Sequence, residues 1–327
     1  MANSSLKKRL IKMVDDFELH KIERYWTRSR IRILMYHRFC HSPSPFKVNK
    51  DVFNEQMNHL KTYYNVIALD ELCDRIRNGI RLPVNPVVLT IDDGYADCYE
   101  IAFPILKKYG LNATVFLTAN FIEERSWLWS NRIEYILSNS CLKQFEIGMS
   151  GKNSQFDVSS LSSKHSAQLA IYDYCRRLPN NIKDEFIENL SLLLKVSVPE
   201  KATEEFEPLS WEQIREMGKS GISFGSHTKS HPILSQIDGH QAEEEIGDSK
   251  RIIEEQLSRE VLTFCYPNGQ EEDFNEKSMS IIQKNGYQCA VTAIPGTNNS
   301  RRDLFRLKRI GDVGSFSPYF RRKIALG

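Results

Sequence analysis

Two adjacent carboxylates, Asp92 and Asp93, and two histidines four residues apart, His227 and His231, are the residues whose types and spacing suit chemistry. Both pairs follow short apolar runs. Val87, Val88, Leu89, Thr90 and Ile91 read as a strand covered on both faces, because a continuous β-branched run of that length suits such a place. Successive side chains leave an extended backbone on opposite sides, so neighbouring aspartates aim differently and can take different tasks. Gly94 lets the chain turn directly after them. Taken alone, Asp-Asp-Gly is also an ordinary turn into a helix beginning near Ala96. Residues 221–232, GISFGSHTKSHP, read as a second short strand ending in polar residues, and one turn brings His227 and His231 to the same side. Two neutral imidazoles and one carboxylate make a three-ligand set that leaves a coordination position open for water, as catalytic rather than structural metal sites do.

The runs TIDDG (Thr90, Ile91, Asp92, Asp93, Gly94) and SHTKSH (with His227, Thr228 and His231) together resemble the NodB-homology polysaccharide deacetylases, carbohydrate esterase family 4. A third element, a strand ending in proline and glycine, is matched by FCYPNG, Phe264 to Gly269. The likeness extends over about Ile31 to Ile310. It implies a divalent metal, with Zn2+ the expected ion, held by Asp93, His227 and His231, and Asp92 as the general base beside it. Leu34 and His37 look like the Leu-x-x-His element that the circularly permuted branch carries near its N-terminus, and no histidine follows His240. His37 is then the expected acid for the departing amine. The backbone N–H near Asn268 matches the family's oxyanion donor, with Tyr266 beside it as a further oxyanion or substrate-binding candidate. The sequence departs from the family in two ways. Cys265 stands where an arginine often holds the base, so Arg309 is the candidate substitute guanidinium, and the tryptophan-bearing fourth motif is not recognisable.

The elements that must position these residues alternate. Ile31 to Phe39 is an apolar run ending in Tyr36, His37 and Arg38. Phe53, Met57, Leu60 and Tyr64 form a helical stripe, Val66 opens a short strand, and Asp70 suits the N-cap of the next helix. After the Asp92 strand comes a helix with Tyr99, Phe103, Leu106 and Tyr109, stopped at Gly110, and then a buried strand over residues 113–118. Strand, helix, strand, helix means parallel pairing, and functional side chains gather at the C-terminal ends of such strands. From Phe121 to about Pro208 the rhythm is lost. Helical patterns there flank a hairpin of Phe145–Ile147 with Phe156–Val158. This stretch reads as an insertion beside the site, with Trp127 and Trp129 either stacking on sugar rings or anchoring the insertion. Ser210 and Gln213 form a capping box before the histidine strand. Strand candidates at residues 261–266, 289–293 and 304–310 complete the count at seven or eight. The expected fold class is α/β, a distorted parallel (β/α) barrel of about seven strands with a mostly helical insertion.

The whole chain fits that size. At 327 residues and 41% hydrophobic it can bury a substantial core. Its 44 basic residues nearly balance 42 acidic ones, so nothing global points to nucleic acid. Seven cysteines without CxxC spacing argue for a reducing compartment, and Cys73, Cys98, Cys265 and Cys289 read as core fillers. Residues 1–30 read as an amphipathic helical segment before the deacetylase-like domain of residues 31–327, whose insertion spans about 121–208. Leu6, Leu10, Met13, Val14 and Phe17 recur at helical spacing among Lys7, Lys8, Arg9 and Lys12. They suit either a helix packed on the domain or a basic helix resting on a membrane surface that holds a lipid-linked substrate. No apolar h-region or membrane-spanning stretch is read, so a cytoplasmic place, extending to the inner face of the membrane, is expected. The leading reading is hydrolysis of an N-acetyl group on an amino sugar in a glycan or glycan precursor of surface polysaccharide biosynthesis. Removal of a formyl group or another small amide by the same site, and a carbohydrate-binding protein without turnover, are the alternatives.

Overall fold

The computed structural model describes residues 19–326 apart from 43, 45–46, 302 and 312–317. The stripe from Leu6 to Phe17 lies outside the described residues. A short helix, Leu19–Trp26, leads into β1 (Arg32–Tyr36). Then follow β2 (Phe39–Cys40), β3 (Val48–Asn49), β4 (Asn65–Val66), β5 (Pro86–Ile91) and β6 (Thr114–Leu117). The antiparallel hairpin β7 (Gln144–Met149) and β8 (Lys152–Asp157) belongs to the insertion. The last strands are β9 (Ser223–Ser226), β10 (Thr263–Cys265), β11 (Cys289–Pro295) and β12 (Leu307–Arg309). Strands β1, β5, β6, β9, β10, β11 and β12 pair in parallel in that order. A bridge between Leu34 and Ile310 brings the ends of this ring together into a nearly closed seven-stranded barrel. β4 adds to the edge of β5 at Asn65 and Val66.

Strand alternation decides which residues enter the barrel. Ile33, Val88, Phe116, Cys265, Val291 and Leu307 form one buried cluster, joined by Leu69, Leu72 and Cys73 of the helix Leu69–Arg77. Their strand neighbours Leu34, Val87, Leu89, Ile91, Val115 and Phe264 pack instead with Phe53, Met57, Leu106 and Ile253 of the surrounding helices. Continuing the period of two along β5 from Val88 brings Thr90 and then Asp92 to the barrel's mouth. Along β1 the same period carries Ile33 to Met35 and His37. Gly225 is required where β9 crosses Phe116, since a Cβ there would lie 2.5 Å from the ring.

The sequence reading needs three corrections. The helix after β4 is not capped by Asp70: its N-cap is Ala68, which makes no side-chain cap bond, and Asp70 lies in the first turn. β4 keeps only Val66 of its apolar run, because Ile67 and Leu69 turn into the interior cluster. The turn after Gly94 passes through one π-helical turn, Cys98–Ala102, before the α-helix Phe103–Tyr109, which Gly110 ends at φ +58°. All seven cysteines are unpaired, and Cys73, Cys98, Cys265 and Cys289 are buried. The insertion's helices, Trp129–Asn139, Leu161–Cys175 and Asn180–Leu194, and its hairpin bury their own cluster around Ile133, Ile171 and Leu190. No helix among the described residues is long and apolar enough to cross a membrane.

Candidate active site

The strand ends converge as their sequences suggest. Asp92 follows β5, its N–H bonded to the Tyr36 carbonyl at 2.9 Å, so the tip of β1 fixes the tip of β5. Asp93 takes a left-handed conformation, φ +75°, and Gly94 follows at φ +92°, turning the two carboxylates apart. His227 follows β9, with its N–H on the Leu117 carbonyl at 2.9 Å. The chain then turns through Thr228 at φ +67° to His231 at φ +62°. Non-glycine residues adopt such angles only when the surroundings impose them. Here Thr228 Oγ1 accepts the His231 N–H at 3.0 Å, and Glu245 Oε2 accepts the N–H groups of Lys229 and Ser230 at 2.9 and 2.8 Å.

The result is a buried triad. Asp93 Oδ1 lies 3.4 Å from His227 Nε2 and 3.6 Å from His231 Nε2. Ligand atoms about 2 Å from one tetrahedral cation stand about 3.3–3.5 Å apart, so these separations fit a divalent ion. His227 Nδ1 is occupied by the Cys265 carbonyl at 2.8 Å, which turns Nε2 toward Asp93. Asp93 Oδ1 is buried without a hydrogen-bond partner, a costly state for an anionic oxygen unless a cation takes it. Burial opposes ionisation of Asp93, but the facing histidines, His227 first, outweigh it and hold the carboxyl below the usual range. Burial and then His227 push His231 down to about 3, so it is a neutral imidazole with a lone pair to give. A second grouping, Asp92, His227 and Cys265, is also close enough for a cation. Its atoms are spent on other partners.

Those partners centre on Arg309. Its Nη1 lies 2.7 Å from Asp92 Oδ1 and its Nη2 2.7 Å from Asp92 Oδ2, a bidentate pair with both side chains almost wholly buried. The guanidinium is held in turn by the Thr292 carbonyl at 2.6 Å, Thr90 Oγ1 at 3.0 Å and Cys265 Sγ at 3.2 Å. Burial raises the Asp92 carboxyl, but Arg309 and then His37 overcome that and leave it below the ordinary value. Half-exposed His37 places Nε2 3.6 Å from Asp92 Oδ2. The guanidinium missing at Cys265 therefore arrives from β12.

The sequence model of the family described as polysaccharide deacetylase matches residues 80–290, more than half of the chain. The chain belongs to the polysaccharide deacetylase family. Among relatives, YxkH of Bacillus subtilis (strain 168), which carries the name of a polysaccharide deacetylase, is 25% identical over 283 residues, 86% of this chain and 71% of that protein. Among solved structures, the Streptococcus pyogenes deacetylase PplD in complex with acetate is 24% identical, with a TM-score of 0.60 over 90% of this chain and 97% of its own. IcaB from Ammonifex degensii is 18% identical, with a TM-score of 0.59 over 91% of this chain and 96% of its own. A de-N-acetylase from Aggregatibacter actinomycetemcomitans is 16% identical, with a TM-score of 0.55 over 90% and 99%. These structures share the fold.

In this deacetylase the carboxylates and histidines open onto a cavity of about 370 Å3 that His37, Tyr266, Asn268 and Arg309 also line. Tyr266 is a wall rather than a free donor. Its N–H goes to Val291 O at 3.2 Å, its hydroxyl to Phe305 O at 3.0 Å, and its ring stacks on Phe274. Asn268 takes φ +57° at the turn after β10. The opposite wall comes from the insertion: Ser130, Asn131 and Glu134 on one helix, Gln168, Leu169 and Tyr172 on the next. Sequence reasoning placed the insertion near the site but identified none of these six, nor Glu245, because each sits inside a helix with no motif around it. Both tryptophans are anchors: Trp129 is buried and stacked on Tyr172, and Trp127 packs on Tyr135 and Phe206.

Proposed function

We propose that this chain is a metal-dependent carbohydrate N-deacetylase, hydrolysing the acetamide of an amino sugar in a glycan or glycan precursor of surface polysaccharide biosynthesis. The observation that carries the reading is the division of labour between adjacent aspartates: Asp93 faces two imidazoles, while both oxygens of Asp92 face Arg309. Asp93, His227 and His231 would hold a divalent cation, with Zn2+ suited to one carboxylate and two imidazoles. Such an ion supplies Lewis-acid polarisation of the acyl carbonyl and eases deprotonation of water. Asp92, kept ionised and oriented by Arg309, accepts the proton as water attacks the acyl carbon. The Asn268 N–H would donate to the oxyanion, and His37 would protonate the departing amine. The products are acetate and a free amine. The acetate in the PplD complex and the naming of the Aggregatibacter structure as a de-N-acetylase support acetyl over formyl.

The test is release of acetate from N-acetylated glucosamine oligosaccharides, against release of formate from their N-formylated counterparts, by chelator-stripped chain with and without added Zn2+. Acetate only in the loaded sample is expected. Formate in its place would shift the reading to a deformylase, and glycan binding without turnover at any metal load would contradict hydrolysis.

A further inference from the structure

Two side-chain amides on opposite walls of the cavity are held in the same way. Asn131, only 3% exposed, accepts a 2.8 Å hydrogen bond at Oδ1 from the Tyr95 hydroxyl. Across the cavity, Asn268 Oδ1 accepts a 2.7 Å bond from the Tyr172 hydroxyl. Both tyrosines are fixed, Tyr95 edge-on against Phe121 beneath the Arg38 guanidinium and Tyr172 by stacking on Trp129. With the carbonyl oxygens occupied, Asn131 Nδ2 and Asn268 Nδ2 are left as buried donors without partners. A buried donor without a partner is costly unless an acceptor arrives. Both belong to residues that line the same cavity. Glu134, three residues beyond Asn131 on the same helix, adds an acceptor to that wall, its Oε2 3.5 Å from Gln168 Nε2. Two donors and a carboxylate around one small cavity suit a ring bearing several hydroxyls, each both donor and acceptor.

We propose that Asn131 and Asn268, with Glu134, form a subsite for the oxygens of the sugar ring that bears the acyl group, so that the insertion takes part in substrate recognition. The inference rests on the deacetylase reading above. It assigns to the insertion a hydrogen-bonding role toward substrate that a cover excluding water would not have. Sites built around hydrogen bonds to a ligand reject partners that leave them unpaired, so loss of one donor is felt in affinity.

The experiment is calorimetric titration of the full-length Asp92→Asn chain, loaded with zinc, with the tetrasaccharide of β-linked N-acetylglucosamine. Adding Asn131→Asp, which keeps the shape but replaces the donor with an acceptor, should weaken binding by about tenfold or more with metal content unchanged. Adding Tyr95→Phe instead, which leaves the Asn131 amide present but unheld, should weaken it by a smaller factor, about two- to fivefold. Equal affinity in all three, loss of metal together with loss of affinity, or no binding to the Asp92→Asn chain at all would overturn the subsite. If that chain binds the tetrasaccharide with the expected ranking while the unsubstituted chain releases no acetate, the hydrolase reading fails and the subsite stands.

Discussion

Arg309 is what makes two chemically identical neighbours different. It takes both oxygens of Asp92 from within the barrel, and Asp93, turned away by its left-handed backbone, is left to the imidazoles. Replacing Arg309 with Met would strand a buried carboxylate, which typically costs about 3–5 kcal/mol, readable as a lowered urea midpoint; an unchanged midpoint would show that the pair is not structural. The residues with chemistry were legible because each stands at the end of an apolar run, where alternation tells which side chains face the mouth. Arg309 was legible only indirectly, from the cysteine standing where a guanidinium was expected. Asn131 was not legible, since an asparagine on an amphipathic helix signals nothing until Tyr95, 36 positions away in sequence, is seen bonded to it.

At the scale of elements, the loop between the two histidines is shaped by a carboxylate from another helix. Glu245, in the helix Gly239–Leu257, accepts from Lys229 N–H, Ser230 N–H and the Ser230 hydroxyl, and so holds the left-handed turns that bring the imidazoles together. Glu245→Ala should weaken zinc binding about 10–100-fold in a chelator competition, as loss of an outer support commonly does; unaltered affinity would show the loop to be self-supporting. The insertion carries its own electrostatic signature. Lys183 is buried over the Trp129 ring, and burial pulls its ammonium down from 10.5 to about 8. Because the folded value lies below the unfolded one, this side chain binds more protons in the unfolded chain between those pH values, and its own contribution to stability rises with pH across that window. Read as the stability of the unsubstituted chain minus that of Lys183→Met, this contribution should grow by about 1–3 kcal/mol from pH 8 to 10.5, with the variant's midpoint at pH 7 already higher; a difference that does not change with pH would contradict the assignment. The insertion's helices were foreseen but not their extents: only Leu161–Cys175 opens on a capping box, Ser160 with Ser163, and the other two start without a side-chain cap.

For the molecule as a whole, the parallel barrel was the most legible feature, since β1, β5, β6 and β11 lie in continuous apolar runs of the chain. Its closure was less so. β12 is three residues long, and the bridge from Leu34 to Ile310 joins segments that lie on either side of the matched family region, residues 80–290. His37 and Arg309 both come from those flanks, so the closing seam of the barrel supplies two of the groups that touch Asp92, Cys265 Sγ at 3.5 Å being another. A cation bound at the mouth would tie β5 to β9 and stabilise the fold by mass action. Stripping it with a chelator should lower the thermal midpoint by several degrees, with recovery on adding zinc; a midpoint indifferent to both would mean that no ion joins those strands. The most direct test of the account is zinc content and acetate release measured on the same preparation of Asp92→Asn. One zinc per chain, with turnover reduced about 10²–10⁴-fold, is the predicted result. Loss of zinc, or turnover equal to that of the unsubstituted chain, would contradict the separation of base from ligand.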